Sequence, residues 1–431
     1  MSALKVSARA GCANLVSDNV AGAAPEVVAA VLAANKPATA PAYGNDDLTI
    51  SLEPLLSAIF ETRCLVVPVA TGTGCNALAL SLCASSALAK CGATPAVLCH
   101  AGSHIYVDEN GAVEAAGQLK LLPIAGEDAK LTAEALAEAA GSATRYGDYG
   151  GVPVAASVTQ VNEAGLCYTL HELEQLGRAA ERLGLLLHMD GARFANALEG
   201  LGCSPAEMTW HRGVDALSFG GTKNGCFAAE AVVIFTDTPK MRSAPFAALA
   251  AKWRAAGGGP SDALRDEARL RLKRAGSMFS KMRFLSAQLH GYLGPAAANS
   301  YAAAGAAAGG GGGAPWRRYA RSANSCAARL AAGVEQIGAQ IGGGGEAVAL
   351  LQPVQSNEVF LTLPAAVLDG VIADGHACLD IGSLAAPPLR RGELLRCVTC
   401  WATTEPEIDR FLSSVRRHAL GASASGAAAK L

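Results

Sequence analysis

The sequence predicts an α/β protein, with a large domain on a mostly parallel sheet and a smaller α+β domain after it. Two observations carry that prediction. In the first half of the chain, short apolar runs alternate with helix-like runs, and the apolar runs are unbroken rather than interleaved with polar residues. Strands of that kind are buried on both faces, as in a parallel sheet covered by helices on each side. In the second half the alternation stops, and a long helical stretch precedes a helix, three strand-like runs and a last helix. A length of 431 residues fits two or three domains at ~100–200 residues each. A composition of 51% hydrophobic and 17% charged residues supplies a sizeable core and excludes a disordered chain. The formal net charge of -2 excludes nucleic-acid binding by bulk charge.

The elements follow in order. Residues 64–70 form the first strand, ended by Thr71-Gly72-Thr73-Gly74, and 76–90 form the helix after it. Strands follow at 96–99 and 152–158. The helix 169–183 places Leu173, Leu176 and Ala180 on one face. Three more strands lie at 184–190, 215–219 and 231–235, and 265–293 reads as one long helical segment. From about Ser322 come a helix, strand-like runs at 348–354, 357–363 and 396–399, and a helix over 405–418. Residues 255–260 and 302–314 are Gly/Ala-rich insertions, and the tail 421–429 is expected to be unstructured. The expected organisation is an N-terminal arm over 1–30, a large domain over 31–264, a small domain over 265–420 and a flexible tail over 421–431.

Thirteen cysteines is an odd number, and residues 1–19 lack the apolar core of an export signal. The thiols are therefore expected to be free, in a reducing compartment such as the cytoplasm. Cys397 and Cys400 stand three apart on a strand and point to opposite faces, so no metal or redox site is expected there. No apolar stretch reaches ~18 residues unbroken, so no membrane partner is expected. The chain ends in Ala429-Lys430-Leu431, close to the Ser-Lys-Leu peroxisomal address, which is the alternative location.

Four motifs sit at or just after strand ends, where open parallel sheets bind ligands. Thr71-Gly72-Thr73-Gly74 joins a strand to a helix, so backbone N–H groups at the helix start can hold a phosphate. It is neither a dinucleotide fingerprint nor a P-loop, and a plain turn is the competing reading. Ser103-His104-Ile105-Tyr106 follows the strand 96–99; the histidine either stacks on a flat cofactor or is structural. His188-Met189-Asp190-Gly191-Ala192-Arg193 places an acid at the end of an apolar strand, where it needs a partner. That partner is a protonated ring nitrogen, a helix start, or Arg193. In Ser218-Phe-Gly-Gly-Thr222-Lys223-Asn224-Gly225, a lysine stands in a glycine-rich loop after a buried strand. Desolvation there lowers an amine's pKa and favours a Schiff base; a surface lysine is the alternative. Phosphate loop, stacking histidine, acid and lysine together make up a site for pyridoxal 5′-phosphate.

The motifs resemble those of the low-specificity L-threonine aldolases, within the aspartate-aminotransferase-like enzymes of PLP fold type I. The matching stretches are Ser17-Asp-Asn, Ala40-Pro-Ala-Tyr43-Gly-Asn-Asp46, Ala70-Thr-Gly-Thr73, Gly102-Ser-His104-Ile, Leu187-His-Met-Asp190-Gly-Ala-Arg193-Phe-Ala-Asn196, Leu217-Ser-Phe-Gly-Gly-Thr-Lys223-Asn-Gly, Phe279-Ser-Lys-Met-Arg-Phe284 and Ser356-Asn-Glu-Val-Phe360. They span residues 15–412 apart from the insertions, and are closest to the branch that also contains phenylserine aldolases. The resemblance implies a large sheet of the seven-stranded type. It implies retro-aldol cleavage of threonine or allo-threonine to glycine and acetaldehyde, through an external aldimine and a quinonoid. It gives Lys223 the Schiff base and Thr71, Gly72 and Thr73 the phosphate, with Thr222 beside them. It places His104 on the ring, Asp190 on the ring nitrogen and Arg193 by the phenolic oxygen. Ser17 and Arg396 would bind the substrate carboxylate, and Tyr43 would lie near the site, from a neighbouring subunit of a homodimer or homotetramer. The base would be His104 or a water. Arg396 has Glu393 as its nearest acid in sequence, so an ion pair between them is the structural alternative.

The chain departs from the family in two places. Asp108 stands where many relatives have an aromatic residue, and Thr159-Gln160-Val161-Asn162 replaces Glu-Asn-Thr-His in a loop expected to face the substrate's β-carbon. Phenylserine cleavage, another PLP lyase reaction such as β-elimination, and a non-catalytic binder on the same fold are the alternatives.

Overall fold

The computed structural model describes residues 8–36, 38–88, 93–145, 150–243, 262–295, 313–341, 348–382 and 389–428. They fall into two compact units. The larger gathers Ala23–Glu163 and Cys167–Arg318; the smaller gathers Met1–Gly22, Ala164–Leu166 and Tyr319–Leu431.

The larger unit is built on a seven-stranded sheet. Its strands are β1 (Cys64–Val69), β2 (Pro95–His100), β3 (Lys120–Ile124), β4 (Val152–Thr159), β5 (Leu186–Gly191), β6 (Ala216–Phe219) and β7 (Glu230–Phe235). Their order is β1-β7-β6-β5-β4-β2-β3. Only β7 runs against its neighbours, pairing antiparallel with both β1 and β6. The carboxyl ends of β1, β2, β5 and β6 therefore share one edge, and β7 begins there. β1, β5, β6 and β7 are buried along their whole length, as their unbroken apolar sequences require. Sequence reading missed β3, whose Lys-Leu-Leu-Pro-Ile is short and contains Pro123. Proline is tolerated there because β3 is an edge strand.

Helices pack on this sheet. Gly72–Leu88 follows β1, and Leu170–Leu183 precedes β5. The latter opens on a reciprocal capping box between Thr169 and Glu172 and closes on Gly184 at φ 70°. Phe60, Phe194, Phe219, Phe235, Tyr292 and Trp316 are fully buried together, with ring centroids 5.2–6.4 Å apart between neighbours. The expected long helix at 265–293 is two helices, Asp262–Arg274 and Arg283–Leu293. Gly276 at φ 69° lies between them, a left-handed conformation that ends a helix.

The smaller unit carries β8 (Ala349–Leu350), β9 (Glu358–Thr362), β10 (Leu379–Asp380) and β11 (Leu395–Val398) in an antiparallel sheet of order β10-β11-β9-β8. Leu330, Val334, Leu361, Val367, Phe411 and Val415 form the core between that sheet and its helices. The chain start also belongs here: Leu15 donates its N–H to the Ala377 carbonyl at 2.7 Å and accepts from Val398 at 2.8 Å.

Three expectations are corrected. No single arm covers 1–30, because the helix Pro25–Ala34 packs on Arg283–Leu293; a Cβ on Gly291 would stand 2.6 Å from the Glu26 carbonyl. The units divide at Arg318/Tyr319 rather than at 264/265, since Leu264, Ala268 and Leu272 pack into the larger core. The last helix continues to Ala428 instead of stopping at 418, because its Ala-rich end has high helix propensity. The insertion at 255–260, most of that at 302–314, and Ala429-Lys430-Leu431 lie outside the described residues. No described helix is long and apolar enough to cross a membrane.

Candidate active site

β1 delivers the first motif. The helix Gly72–Leu88 starts three residues after Val69, with Thr71 Oγ1 accepting the Gly74 N–H at 3.1 Å. The first N–H groups of a helix have no partner within it. A Cβ built on Gly72 would meet nothing within 4 Å. Thr71, Gly72 and Thr73 thus form an open helix start, polarised positively and suited to a phosphate.

β5 and β6 deliver the acid and the lysine. Asp190 is the fifth residue of β5, lies opposite Ser218 of β6, and is buried. Its Oδ1 accepts the Ala192 N–H at 3.0 Å and its Oδ2 accepts Asn76 Nδ2 at 2.8 Å. Each oxygen keeps a lone pair for a further donor. Arg193 follows at the start of the helix Phe194–Leu201. After β6 the chain leaves the sheet through Gly220 and Gly221, where a Cβ would stand 2.4 Å from the Ala192 and Ala229 carbonyls respectively. Only glycine fits there. Lys223 then sits in the short turn Thr222–Asn224. Among the described residues its Nζ has no hydrogen-bond partner. The turn is fastened on both sides. Asn224 Nδ2 donates to Tyr292 Oη and the Trp316 carbonyl, each at 2.8 Å. Glu230, first in β7, accepts the Gly221 N–H at 2.7 Å and a hydrogen bond from Thr222. Burial pushes the Glu230 carboxyl up to about 7.

β2 delivers the histidine. His104 opens the short helix His104–Val107, with its side chain 41% exposed. Its Nδ1 stands 2.8 Å from Glu109 Oε1, and the Glu109 side chain is completely buried. That hydrogen bond holds the imidazole above the ordinary histidine range. The charges of Asp190 and Lys223 both act on His104. Its backbone N–H donates to Glu163 Oε1 at 2.8 Å. Burial, followed by the charge of Asp190, pushes the Glu163 carboxyl up to about 7.

In the loop that departs from the family, Gln160 bonds both ways with the Tyr168 backbone, and Asn162 donates to the Asp128 carbonyl at 2.8 Å. Glu163, the residue after this loop, is the one that reaches His104. Sequence reasoning missed Glu163, and also Asn76, Glu109 and Glu230. Glu230 carried a usable signal, as a lone acid opening the apolar strand Glu-Ala-Val-Val-Ile-Phe.

The larger unit therefore brings together Thr71, Gly72, Thr73, His104, Asp190, Arg193, Thr222 and Lys223. Ser17 and Arg396 belong to the smaller unit. Ser17 Oγ accepts the Asn19 N–H at 3.2 Å. Arg396 lies in β11 between Phe360 and Leu379, and its Nε is buried with no hydrogen-bond partner among the described residues. Glu393 is held instead by Arg390, at 2.6 Å. Tyr43 is half-exposed on a separate hollow of ≈ 950 Å³, lined with Asp47, Ile50, Pro68, Arg265 and Met282. Cys397 and Cys400 are buried free thiols.

Pyridoxal 5′-phosphate fits this set of residues: an open helix start for its phosphate, a buried acid with spare lone pairs for its ring nitrogen, and, in the turn after the next strand, a lysine whose Nζ has no hydrogen-bond partner among the described residues. The chain belongs to the Beta-eliminating lyase family, whose profile matches residues 14–364. It is 33% identical over 402 residues to "Low specificity L-threonine aldolase" of Pseudomonas sp. (strain NCIMB 10558), covering 93% of this chain and 96% of that protein. It is 35% identical over 360 residues to the protein of the same name from Pseudomonas aeruginosa, covering 83% and 86%. The solved threonine aldolase of Leishmania major, 24% identical, shares the fold with a TM-score of 0.72 over 94% of this chain and 99% of that one. The protein is thus a lyase of the aldehyde-lyase type on PLP fold type I, and pyridoxal 5′-phosphate is its cofactor.

Proposed function

We propose that the protein cleaves the Cα–Cβ bond of L-threonine and L-allo-threonine to give glycine and acetaldehyde. One observation carries the reading: a buried acid, Asp190, and a lysine with no hydrogen-bond partner among the described residues, Lys223, follow from neighbouring strands in a chain one-third identical to enzymes bearing that name. When bound, the cofactor supplies a ring that accepts the electron pair of the breaking bond. The protein's residues do the rest. Lys223 holds the cofactor covalently. Thr71, Gly72 and Thr73 would hold its phosphate, with Thr222 beside them, and Arg193 would serve its phenolic oxygen. Asp190 keeps a proton on the ring nitrogen. His104 would lie beside the ring and would take the proton of the substrate's β-hydroxyl, a role suited by an imidazole fixed at Nδ1. Ser17 and Arg396 bind the substrate carboxylate, for which Arg396 offers paired N–H donors.

The assembly is a homodimer or homotetramer in which Tyr43, half-exposed on its own chain, serves a neighbour's site. Twelve described cysteines, all free thiols, favour the cytoplasm. The test is a product assay on threonine, allo-threonine and phenylserine, with borohydride reduction and peptide mapping. Acetaldehyde and glycine with label on Lys223 are expected. Benzaldehyde alone, or label on another lysine, refutes the reading as stated.

A further inference from the structure

Two residues expected to touch the cofactor at different places are joined through the protein. His104 Nδ1 stands 2.8 Å from Glu109 Oε1. That same oxygen accepts Asn76 Nδ2 at 2.8 Å, and Asn76 Nδ2 also stands 2.8 Å from Asp190 Oδ2. Asn76, Glu109 and Asp190 are 2%, 5% and 4% exposed. We propose that Asn76 is a positioning residue, which couples the ring-nitrogen acid Asp190 to His104 through Glu109.

The physical case begins with charge. Two carboxylates buried side by side repel, and each needs donors to stay ionised. The Asn76 amide has two hydrogens, one for each carboxylate. Its first hydrogen fixes Asp190 Oδ2, while the Ala192 N–H fixes Oδ1. The carboxylate plane is then set before any ring nitrogen arrives. The second hydrogen fixes Glu109 Oε1 beside His104 Nδ1. An ionised carboxylate only accepts, so His104 must carry its proton on Nδ1 and turn Nε2 outward. Asn76 stands in the first two turns of Gly72–Leu88, the helix whose open start is the phosphate site. One helix therefore sets the phosphate cradle, the acid and, through Glu109, the histidine. Among the described residues Glu109 Oε2 and Asn76 Oδ1 are buried without a partner, so the Asn76 amide hydrogens are the link between the two carboxylates.

The inference rests on the cofactor site proposed above, but its central test does not. The groups facing His104 are Glu109 on its own segment, Glu163 through the backbone N–H, Asp190 and Lys223. Asn76→Leu touches neither ring nitrogen. Without the amide's donor, Glu109 Oε1 is no longer fixed against His104 Nδ1. The histidine's NMR titration midpoint in cofactor-free protein should then fall toward that of Glu109→Gln, and the double variant should add little. Asn76→Ala is the second variant, for use if leucine prevents folding. Cofactor dissociation constants complete the test: both variants should bind pyridoxal 5′-phosphate at least about tenfold more weakly, as when supporting partners of a ligand are lost. A variant that folds and melts lower, yet leaves the His104 midpoint where it is in the parent, overturns the coupling and makes Asn76 merely structural. If the parent itself takes up no cofactor, the proposed function fails separately, and the titration still decides the coupling.

Discussion

With Asp190 proposed to serve the cofactor and Arg396 the substrate carboxylate, their losses should be separable. In Asp190→Asn the amide still accepts the Ala192 N–H but cannot keep a proton on a ring nitrogen. Bound cofactor should persist while kcat falls steeply, with a loss on the order of 3 kcal/mol from removing one preorganised charge. Turnover near that of the parent would refute the pairing. Arg396→Lys replaces a planar fork by a point charge. The expected outcome is unchanged cofactor absorbance, a sharply raised KM for threonine and weak glycine binding. Unchanged kinetics with a lower melting temperature would make Arg396 structural. The candidates Lys223, His104 and Asp190 could be picked out in the sequence because each stands in a short motif at or just after a strand end. The rule that an acid on an apolar strand needs a partner found Asp190, but applies equally to Glu230. Asn76 was hidden because its partners lie 33 and 114 positions away, where only the fold brings them together, and Glu109, five positions from His104, stands in no motif that marks it.

The helix Leu170–Leu183 shows how an element can override its own propensities. Gly177 is buried mid-helix, where alanine would ordinarily be favoured by about 1 kcal/mol. A Cβ there would stand 1.9 Å from the Arg212 carbonyl and 2.8 Å from its carbon. Backbone cannot swing aside as a flexible side chain can. Gly177→Ala should therefore destabilise by about 1–3 kcal/mol, as overpacked sites do, read as a lower unfolding midpoint. A rise in that midpoint would show that the turn after the short helix Trp210–Arg212 yields freely. The apolar strands were legible because burial on both faces demands an unbroken apolar sequence. β3 was not, since an edge strand escapes that demand. The helix break near Gly276 was not either, because both flanking helices keep a helical pattern and the turn depends on one backbone angle.

Across the whole molecule, the order of strands and motifs was readable, while the division into units was not. A boundary depends on which core a helix joins, and Leu264, Ala268 and Leu272 give no sign of that in sequence. Buried titratable groups are likewise a property of the assembled fold, and they govern its response to pH. Burial raises Glu230 from the ordinary 4.5 to about 7. The folded state thus keeps a proton that the unfolded chain has released. Its contribution is fully present below the unfolded value and is lost as pH rises through the folded one. Glu163 has the same sign over the same window. His188 opposes them: burial lowers it to about 4, so folding loses stability as pH falls from the ordinary histidine value toward that one. A direct pH profile therefore mixes opposing slopes, but a difference between variants isolates one group. Glu230→Gln keeps an acceptor for the Gly221 N–H and removes the proton equilibrium. In cofactor-free protein, the stability of the variant relative to the parent should rise between pH 5 and 7.5, by an amount on the order of 3 kcal/mol at ~1.4 kcal/mol per pKa unit. His188 and Glu163 are present in both proteins and cancel. Denaturant unfolding at several pH values gives the measurement, and parallel curves for the two proteins would show that Glu230 releases its proton in the fold as it does in water.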